Sequence, residues 1–469
     1  MTPLGHADRP NVVCVLADDL GWHDLGSYGS PFYETPNLDR LAREGTRFTD
    51  AYAAAPVCSP TRASVMTGSY PARVGVTDWI DFWGETHPAR GALIDAGYTE
   101  HLPHDQTSLA AALRTAGYGC WHVGKWHLGG ADQDSLPTDH GFDTNVGGCE
   151  WGAPTGEGGY FLPWEIPTLD EPPDSDRYLP DRLGDGAVEL IEDHDGDEPF
   201  FLYYAPYLVH TPLQAPSEMV EQYETKRRAL GLEDVREFEV GRQHPTEHKR
   251  DKRIKRRLVQ SDPTYAAMVE ALDRVVGRLL NALERTGRAE DTVVVFTSDH
   301  GEMLTDHGHI QKWTMYDEVT RVPAMVWSPG RFGPDTVEDL ISLFDLGPTV
   351  LELADAPVDD SMEAESLVPA LEGDEGWTGR EVVFAEHART GILRETEFMT
   401  MVRTDDWKLV HFVDHDEGQL FDLNADPEEE ENLWNDPEVQ DVKRDLVDEL
   451  LTWRIESGVE TAEWAADWR

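Results

Sequence analysis

The chain has 469 residues, with 91 Asp and Glu against 39 Lys and Arg, and 39% of it is hydrophobic. That apolar share is enough for a sizeable core, which argues against a disordered chain despite the charge, and the length suits one large domain with a smaller one beside it. The formal charge of −52 is spread along the chain rather than gathered in a tail, which argues against nucleic acid and anionic membranes as partners.

In chain order, Asn11–Leu16 is a short apolar run ending at Ala17-Asp18-Asp19, the pattern of a buried parallel strand. Thr35-Pro36 opens a helix over Asn37–Glu44 that Gly45 stops. Thr107–Ala116 is a second helix, and Tyr118–Val123 and Phe200–Tyr204 are strands. Tyr265–Leu283 is the clearest helix, with apolar residues from Met268 to Leu283 at three- and four-residue intervals. Thr292–Phe296 is the next strand. Alternating strands and helices predict an α/β fold with a large, mainly parallel sheet sandwiched by helices. From about residue 375 the pattern changes to short strands, Val382–Ala385, Thr400–Arg403, Lys408–Phe412 and Gln419–Leu423, and then an amphipathic helix, Val442–Trp453. This predicts a C-terminal α+β subdomain with an antiparallel sheet, dividing the chain into 1–374 and 375–469. Trp79–Pro103 and Trp151–Asp181 read as long loops that border a site.

Eight lysines against 31 arginines, with acid scattered everywhere, fit a halophile's solvated surface and predict loss of the fold in low salt. Cys14, Cys58, Cys120 and Cys149 match no zinc or CxxC spacing and suggest reduced thiols. No signal-like N-terminus and no apolar run of about 18 residues is evident, so a cytoplasmic location without a membrane span is expected.

Polar residues follow the strands directly. Asp18 and Asp19 end the first; two adjacent carboxylates repel unless a cation joins them, although a helix cap beside a surface acid fits equally well. Ser298-Asp299-His300-Gly301-Glu302 follows Thr292–Phe296. If the two strands are neighbours, Asp18, Asp19, Asp299 and His300 converge on one hard divalent cation. Cys58-Ser59-Pro60-Thr61-Arg62 opens a helix that would set Arg62 beside Cys58, although a lone cysteine is more often structural. Lys125 and His127 follow a further strand, His210 follows Phe200–Tyr204, and Lys312 lies in Gln311-Lys312-Trp313-Thr314. Each alone is more often structural; together they suit an ester of a tetrahedral oxyanion.

CSPTRASVMTG resembles the signature of the sulfatases of the alkaline phosphatase superfamily. LADDLG, GKWHLG, TSDHGE, DLGPTVLELA and LFDLNADPEEEENL look like further blocks of that family, in its order, and the composition suggests a halophilic archaeon. The resemblance implies an alkaline phosphatase-like fold and a sulfuric ester hydrolase. Asp18, Asp19, Asp299 and His300 would hold the cation, with Ca²⁺ expected and Mg²⁺ or Mn²⁺ as alternatives; the family often has Asn where this chain has His300. Cys58 would be oxidised to formylglycine by a formylglycine-generating enzyme and hydrated to a gem-diol. Arg62 would help to lower the pKa of its attacking hydroxyl. Lys125, Lys312 and His210 would grip the sulfate, with His210 or Lys312 protonating the leaving alcohol. His127 would take the proton of the second hydroxyl. The implied partner is a small-molecule or carbohydrate sulfate ester, and DHGE with MYDEVTRVP leans toward carbohydrate or small alkyl esters.

Two rival readings stand beside it. Phosphonate and phosphate ester hydrolases of the same superfamily carry the same Cys-x-Pro-x-Arg pattern. A non-catalytic polyanion binder would rest on Lys249–Arg257, seven basic residues in nine, a run that also reads as an exposed helical face pairing with nearby acids.

Overall fold

A computed structural model describes residues 9–80, 98–171, 177–243, 247, 251, 253–309, 312–390, 393 and 396–460. Its strands in chain order are β1 (Asn11–Ala17), β2 (Thr46–Tyr52), β3 (Gly119–Gly124), β4 (Thr144–Val146), β5 (Phe200–Ala205), β6 (Phe238–Gln243), β7 (Arg253–Arg257), β8 (Thr292–Ser298), β9 (Arg321–Trp327), β10 (Asp335–Ser342), β11 (Val383–Thr390), β12 (Thr396–Arg403), β13 (Trp407–Phe412) and β14 (Gly418–Asp422).

Eight of them form one sheet in the order β10-β2-β9-β8-β1-β5-β3-β4. β1 lies at its centre, parallel to β5 on one side and β8 on the other. Its apolar run is buried on both faces. Val13, Val15 and Ala17 enter one core with the helices Pro36–Glu44, Leu179–Asp193 and Pro263–Arg285. Val12, Cys14 and Leu16 enter a second core with the helices Cys58–Thr67, Leu109–Thr115 and Leu346–Leu353. The mainly parallel sheet between helical layers is therefore present. β9 is the exception, antiparallel to both β2 and β8.

The helix Pro263–Arg285 follows its sequence signals. Pro263 sits at its start, and the Asp262 side chain accepts from Thr264 N and Tyr265 N at 2.8 and 3.0 Å. Asp273, on its buried side, accepts from the backbone N–H of Asn37 and Leu38 at 2.9 and 2.8 Å, so one helix caps the start of another.

The C-terminal strands form an antiparallel sheet in the order β11-β12-β13-β14. One face packs with the helix Gln440–Glu460 through Val402, Leu409, Leu446, Leu450 and Trp453. The other packs Met399, Met401, Val410 and Phe412 onto Met303, Met315, Tyr316 and Val319 from the segments after β8. Lys408, on that second face, is fully buried between Asp317 and Glu429 at 2.7 and 2.8 Å. The small sheet thus braces the segment that follows Lys312.

One expectation is corrected. Within Lys249–Arg257 the described residues from Arg253 onward are a strand, β7, paired antiparallel with β6, and not a helical face. Ile254, buried between exposed Arg253 and Lys255, gives the run a period of two. Lys249, Arg250 and Lys252 lie outside the described residues, as does most of the loop at Trp79–Pro103. No helix among the described residues is long and apolar enough to cross a membrane.

Candidate active site

The site lies beyond the carboxyl ends of β1, β3, β5 and β8, where ligands of open α/β sheets bind. Parallel neighbours end together, so the residues after each strand face one another. Asp18 and Asp19 follow β1, Asp299 and His300 follow β8, Lys125 and His127 follow β3, and His210 follows β5. Cys58 is the first residue of the helix Cys58–Thr67, all ten residues of which are buried, and no side chain caps that helix. Its first-turn N–H groups favour an anion there. Arg62 stands one turn on.

All ten expected residues meet within this volume. The Cys58 sulfur lies 3.0 Å from Lys312 Nζ, 3.3 Å from His300 Nε2 and 3.6 Å from Asp18 Oδ1. Lys312 Nζ also donates to Asp19 Oδ1 at 2.7 Å. Lys125 Nζ spans both Asp18 oxygens at 2.7 and 2.8 Å. Arg62 donates from Nε to Asp299 at 2.9 Å and contacts Asp18 at 3.4 Å. His210 Nε2 is 3.6 Å from Asp19 Oδ2. Asp19 and His127 both hold positive φ, 61° and 58°, a conformation that bulky or polar L-residues keep only when the surroundings impose it.

The charges are strongly interdependent. Burial pushes the Asp18 carboxyl well above the usual range, and Lys125 offsets only part of that. Burial opposes ionisation of Asp299, but His300 and Arg62 outweigh it and hold that carboxyl at about 2. Burial also works against a Cys58 thiolate, yet Lys125, Lys312 and His300 together bring the thiol well below its ordinary value. His210, desolvated, is lowered to about 4.

The donor set fits a divalent cation. Asp18, Asp299, His300 and Cys58 each offer a ligand atom, all within 4.8 Å of one another, and Asp19, Cys58 and His210 form a second such group. His300 Nδ1 lies 2.9 Å from the Gly301 carbonyl, a contact that keeps a proton on Nδ1, so a cation that displaces the second proton would meet an Nε2 lone pair facing the site. Carboxylates with one imidazole suit a hard ion, whose charge would relieve the raised Asp18.

Two supporting residues were assigned no role from the sequence, although Ser298 opens the motif that holds Asp299 and His300. Ser298 Oγ bonds Leu20 N at 3.0 Å and His300 O at 2.8 Å, tying the two carboxylate loops together. Tyr160, buried within the predicted loop Trp151–Asp181, donates to the carbonyls of Tyr207 and His210 at 2.5 and 2.8 Å and so fixes the His210 turn. A lone tyrosine in a patternless segment is indistinguishable from core.

The sulfatase family model matches residues 10–356. The chain belongs to the sulfatase family. A second match, to the C-terminal region of N-sulphoglucosamine sulphohydrolase, covers residues 305–456. Among sulfatases, the chain is 27% identical to N-acetylglucosamine-6-O-sulfatase of Bacteroides thetaiotaomicron, over 94% of this chain and 85% of that one. It is 30% identical to human arylsulfatase A, over 92% and 84%. A crystal structure of Ps i-CgsB in complex with k-i-k-neocarrahexaose superposes with a TM-score of 0.70 at 26% identity, covering 95% of this chain and 92% of that one. As a sulfatase the chain is a hydrolase of sulfate esters.

Proposed function

We propose that this sulfatase releases inorganic sulfate from a carbohydrate sulfate ester through a formylglycine made from Cys58 by a formylglycine-generating enzyme. The observation that carries the reading is the placement of Cys58: at an uncapped helix start, in contact with Lys312, His300 and Asp18, with Arg62 one turn along. The carbohydrate class rests on the N-acetylglucosamine-6-O-sulfatase relative and on the saccharide complex of Ps i-CgsB. Residues 1–374 form the catalytic part in this reading, and 375–469 the part that braces it.

Asp18, Asp19, Asp299 and His300 would hold the cation, Ca²⁺ by preference for oxygen ligands, which would polarise the ester and acidify a hydroxyl beside it. As a hydrated formylglycine, residue 58 would supply one hydroxyl to attack sulfur and a second whose deprotonation releases sulfate. Lys125 and Lys312 bind sulfate oxygens and stabilise charge that builds on them. Arg62 keeps Asp299 ionised and oriented through a 2.9 Å bond. Lys312 carries a proton to give the departing alcohol; His210, 16% exposed, is the other donor once the bound anionic ester offsets the desolvation that lowers it to about 4. His127 serves as the base. Its Nε2 lies 3.0 Å from the Ile80 carbonyl; donating there leaves Nδ1, buried and unbonded, free to accept the proton.

Mass spectrometry of the peptide spanning Cys58 tests the modification: an aldehyde in place of the thiol is expected, and a fully thiol peptide in active enzyme would overturn it. Cys58→Ala should abolish sulfate release. Kinetics on a matched aryl sulfate and aryl phosphate diester decide the ester class; a large preference for the diester would overturn the sulfate assignment. The acidic surface is proposed to be halophilic, so circular dichroism should report loss of fold as salt is lowered.

A further inference from the structure

The chain's basic residues are unevenly placed. Twelve of the 39 Lys and Arg lie between Lys226 and Arg257, against six of the 91 Asp and Glu. This stretch is the single strong reversal of sign in a chain of net charge −52, and it contains the β6–β7 hairpin. The hairpin stands next to the catalytic segment. Arg257 N and Nε donate to Asp306 at 2.6 and 3.1 Å, and Arg257 Nη2 donates to the Met303 carbonyl at 3.3 Å. A side chain at Gly308 would meet the Arg253 carbonyl at 3.1 Å. Residues 303–308 connect His300 to Lys312, so β7 is clamped onto the stretch that joins two residues of the site.

The two faces of the hairpin differ. On one, Arg256 pairs with Glu239 at 2.9 Å, and Ile254 is buried. On the other, Arg257 at the base is drawn in to Asp306, whereas Arg253 and Lys255 are exposed; Arg253 donates to the Gly241 carbonyl at 2.7 Å, and neither of the two meets a carboxylate of the described residues within ion-pair distance. Lys255 lies opposite Val240, itself 48% exposed, and its ammonium stands 6.0 Å from the Phe238 ring. Cations without a carboxylate partner among the described residues, beside an aromatic ring and an apolar side chain, suit a sulfated sugar: the cations meet sulfates, and the carbon face of a ring meets Phe238 and Val240. A polyanion approaching so acidic a protein is repelled over most of its surface. At high salt only contact-distance pairing survives, so these uncompensated cations matter more than the overall field.

We propose that the outward face of the β6–β7 hairpin, through Phe238, Val240, Arg253 and Lys255, binds a sulfated polysaccharide chain and holds sulfate groups flanking the one that enters the active site. The second half of this statement rests on the proposed carbohydrate sulfatase activity; binding by the hairpin does not.

The test compares the full chain with its R253E/K255E variant in the lowest salt at which circular dichroism reports the intact fold. Affinity for heparin is measured by titration, and turnover is measured on a small aryl sulfate. The variant should bind heparin at least about tenfold more weakly, with roughly two fewer ions released in the salt dependence, and should turn over the aryl sulfate as the parent does. Heparin affinity unchanged within twofold would overturn the proposal. So would double-stranded DNA binding the parent as tightly as heparin, which would make the face a general polyanion or nucleic-acid surface. Failure of both proteins to hydrolyse the aryl sulfate would count against the catalytic reading alone, because heparin binding is read without turnover.

Discussion

Replacing Lys408 with methionine asks whether a buried charge, and not apolar packing alone, fixes the small sheet to the segment after Lys312. The lysine is fully buried, 2.7 Å from Asp317 and 2.8 Å from Glu429. Methionine preserves the stem and removes the charge. Breaking a buried pair typically costs about 3–5 kcal/mol, because an unpaired charge is left behind. Two features reduce that here. Arg321 stays 3.7 Å from Asp317. Glu429 can accept a proton: burial pushes its carboxyl up to about 7, with Lys408 pulling the other way. A carboxyl raised in the folded state adds stability below its unfolded value and loses it as pH rises through the folded one. Below pH 7 Glu429 is mostly neutral in the parent, and Lys408→Met strands only Asp317. Without Lys408 the Glu429 carboxyl is held higher still, so above pH 7 the parent ionises it beside the ammonium while the variant keeps it protonated and goes on losing stability as pH rises. The variant should therefore lose about 1–2 kcal/mol at pH 6 and about 3 kcal/mol at pH 8.5. Urea unfolding at fixed salt and both pH values measures this. Equal losses at the two pH values, or a loss under about 0.5 kcal/mol at pH 8.5, would refute the reasoning.

Three further outcomes follow from the geometry. Burial pulls His122 down to about 3, so the stability it contributes is complete above about pH 6.5 and falls as pH drops toward 3. His122→Phe should flatten the acid limb of the urea-unfolding profile between pH 6.5 and 4.5 by about 2–3 kcal/mol, and an unaltered slope would contradict the assignment. Asp273→Ala leaves the N–H groups of Asn37 and Leu38 without their acceptor and should cost about 2 kcal/mol in the same assay. Asp299→Asn should weaken Ca²⁺ binding at least about tenfold in calorimetric titration, since it removes one of three carboxylates; unchanged affinity would place the ion elsewhere.

Much of this architecture was legible because the physics is local. β1, β5 and β8 read as strands because burial on both faces demands unbroken apolar runs, and Pro263–Arg285 because a helix packed on one side repeats every three to four residues. The ten residues now found together stood out because they directly follow, or pack beside, such elements. β2, β9 and β10 were not read. β9 carries Pro323, which argues against a central strand; it is accommodated where the ladder with β2 slips, between Phe48 and Ala51. The basic run misled because a dense block of charge hides its period of two. The bonds from Tyr160 to the His210 turn and from Lys408 to Asp317 join residues 50 and 91 positions apart, and nothing local encodes them.

The burial of the helix Cys58–Thr67 has a consequence in time. Cys58 is 2% exposed and every residue after it through Thr67 is packed away. A modifying enzyme needs an extended peptide in its own cleft, and the finished fold offers none. Under the proposed maturation, conversion of Cys58 is therefore a race against folding, to be won while the segment is still unstructured. In that reading each molecule that folds first stays a thiol, and the active fraction of a preparation records how the race was run during synthesis.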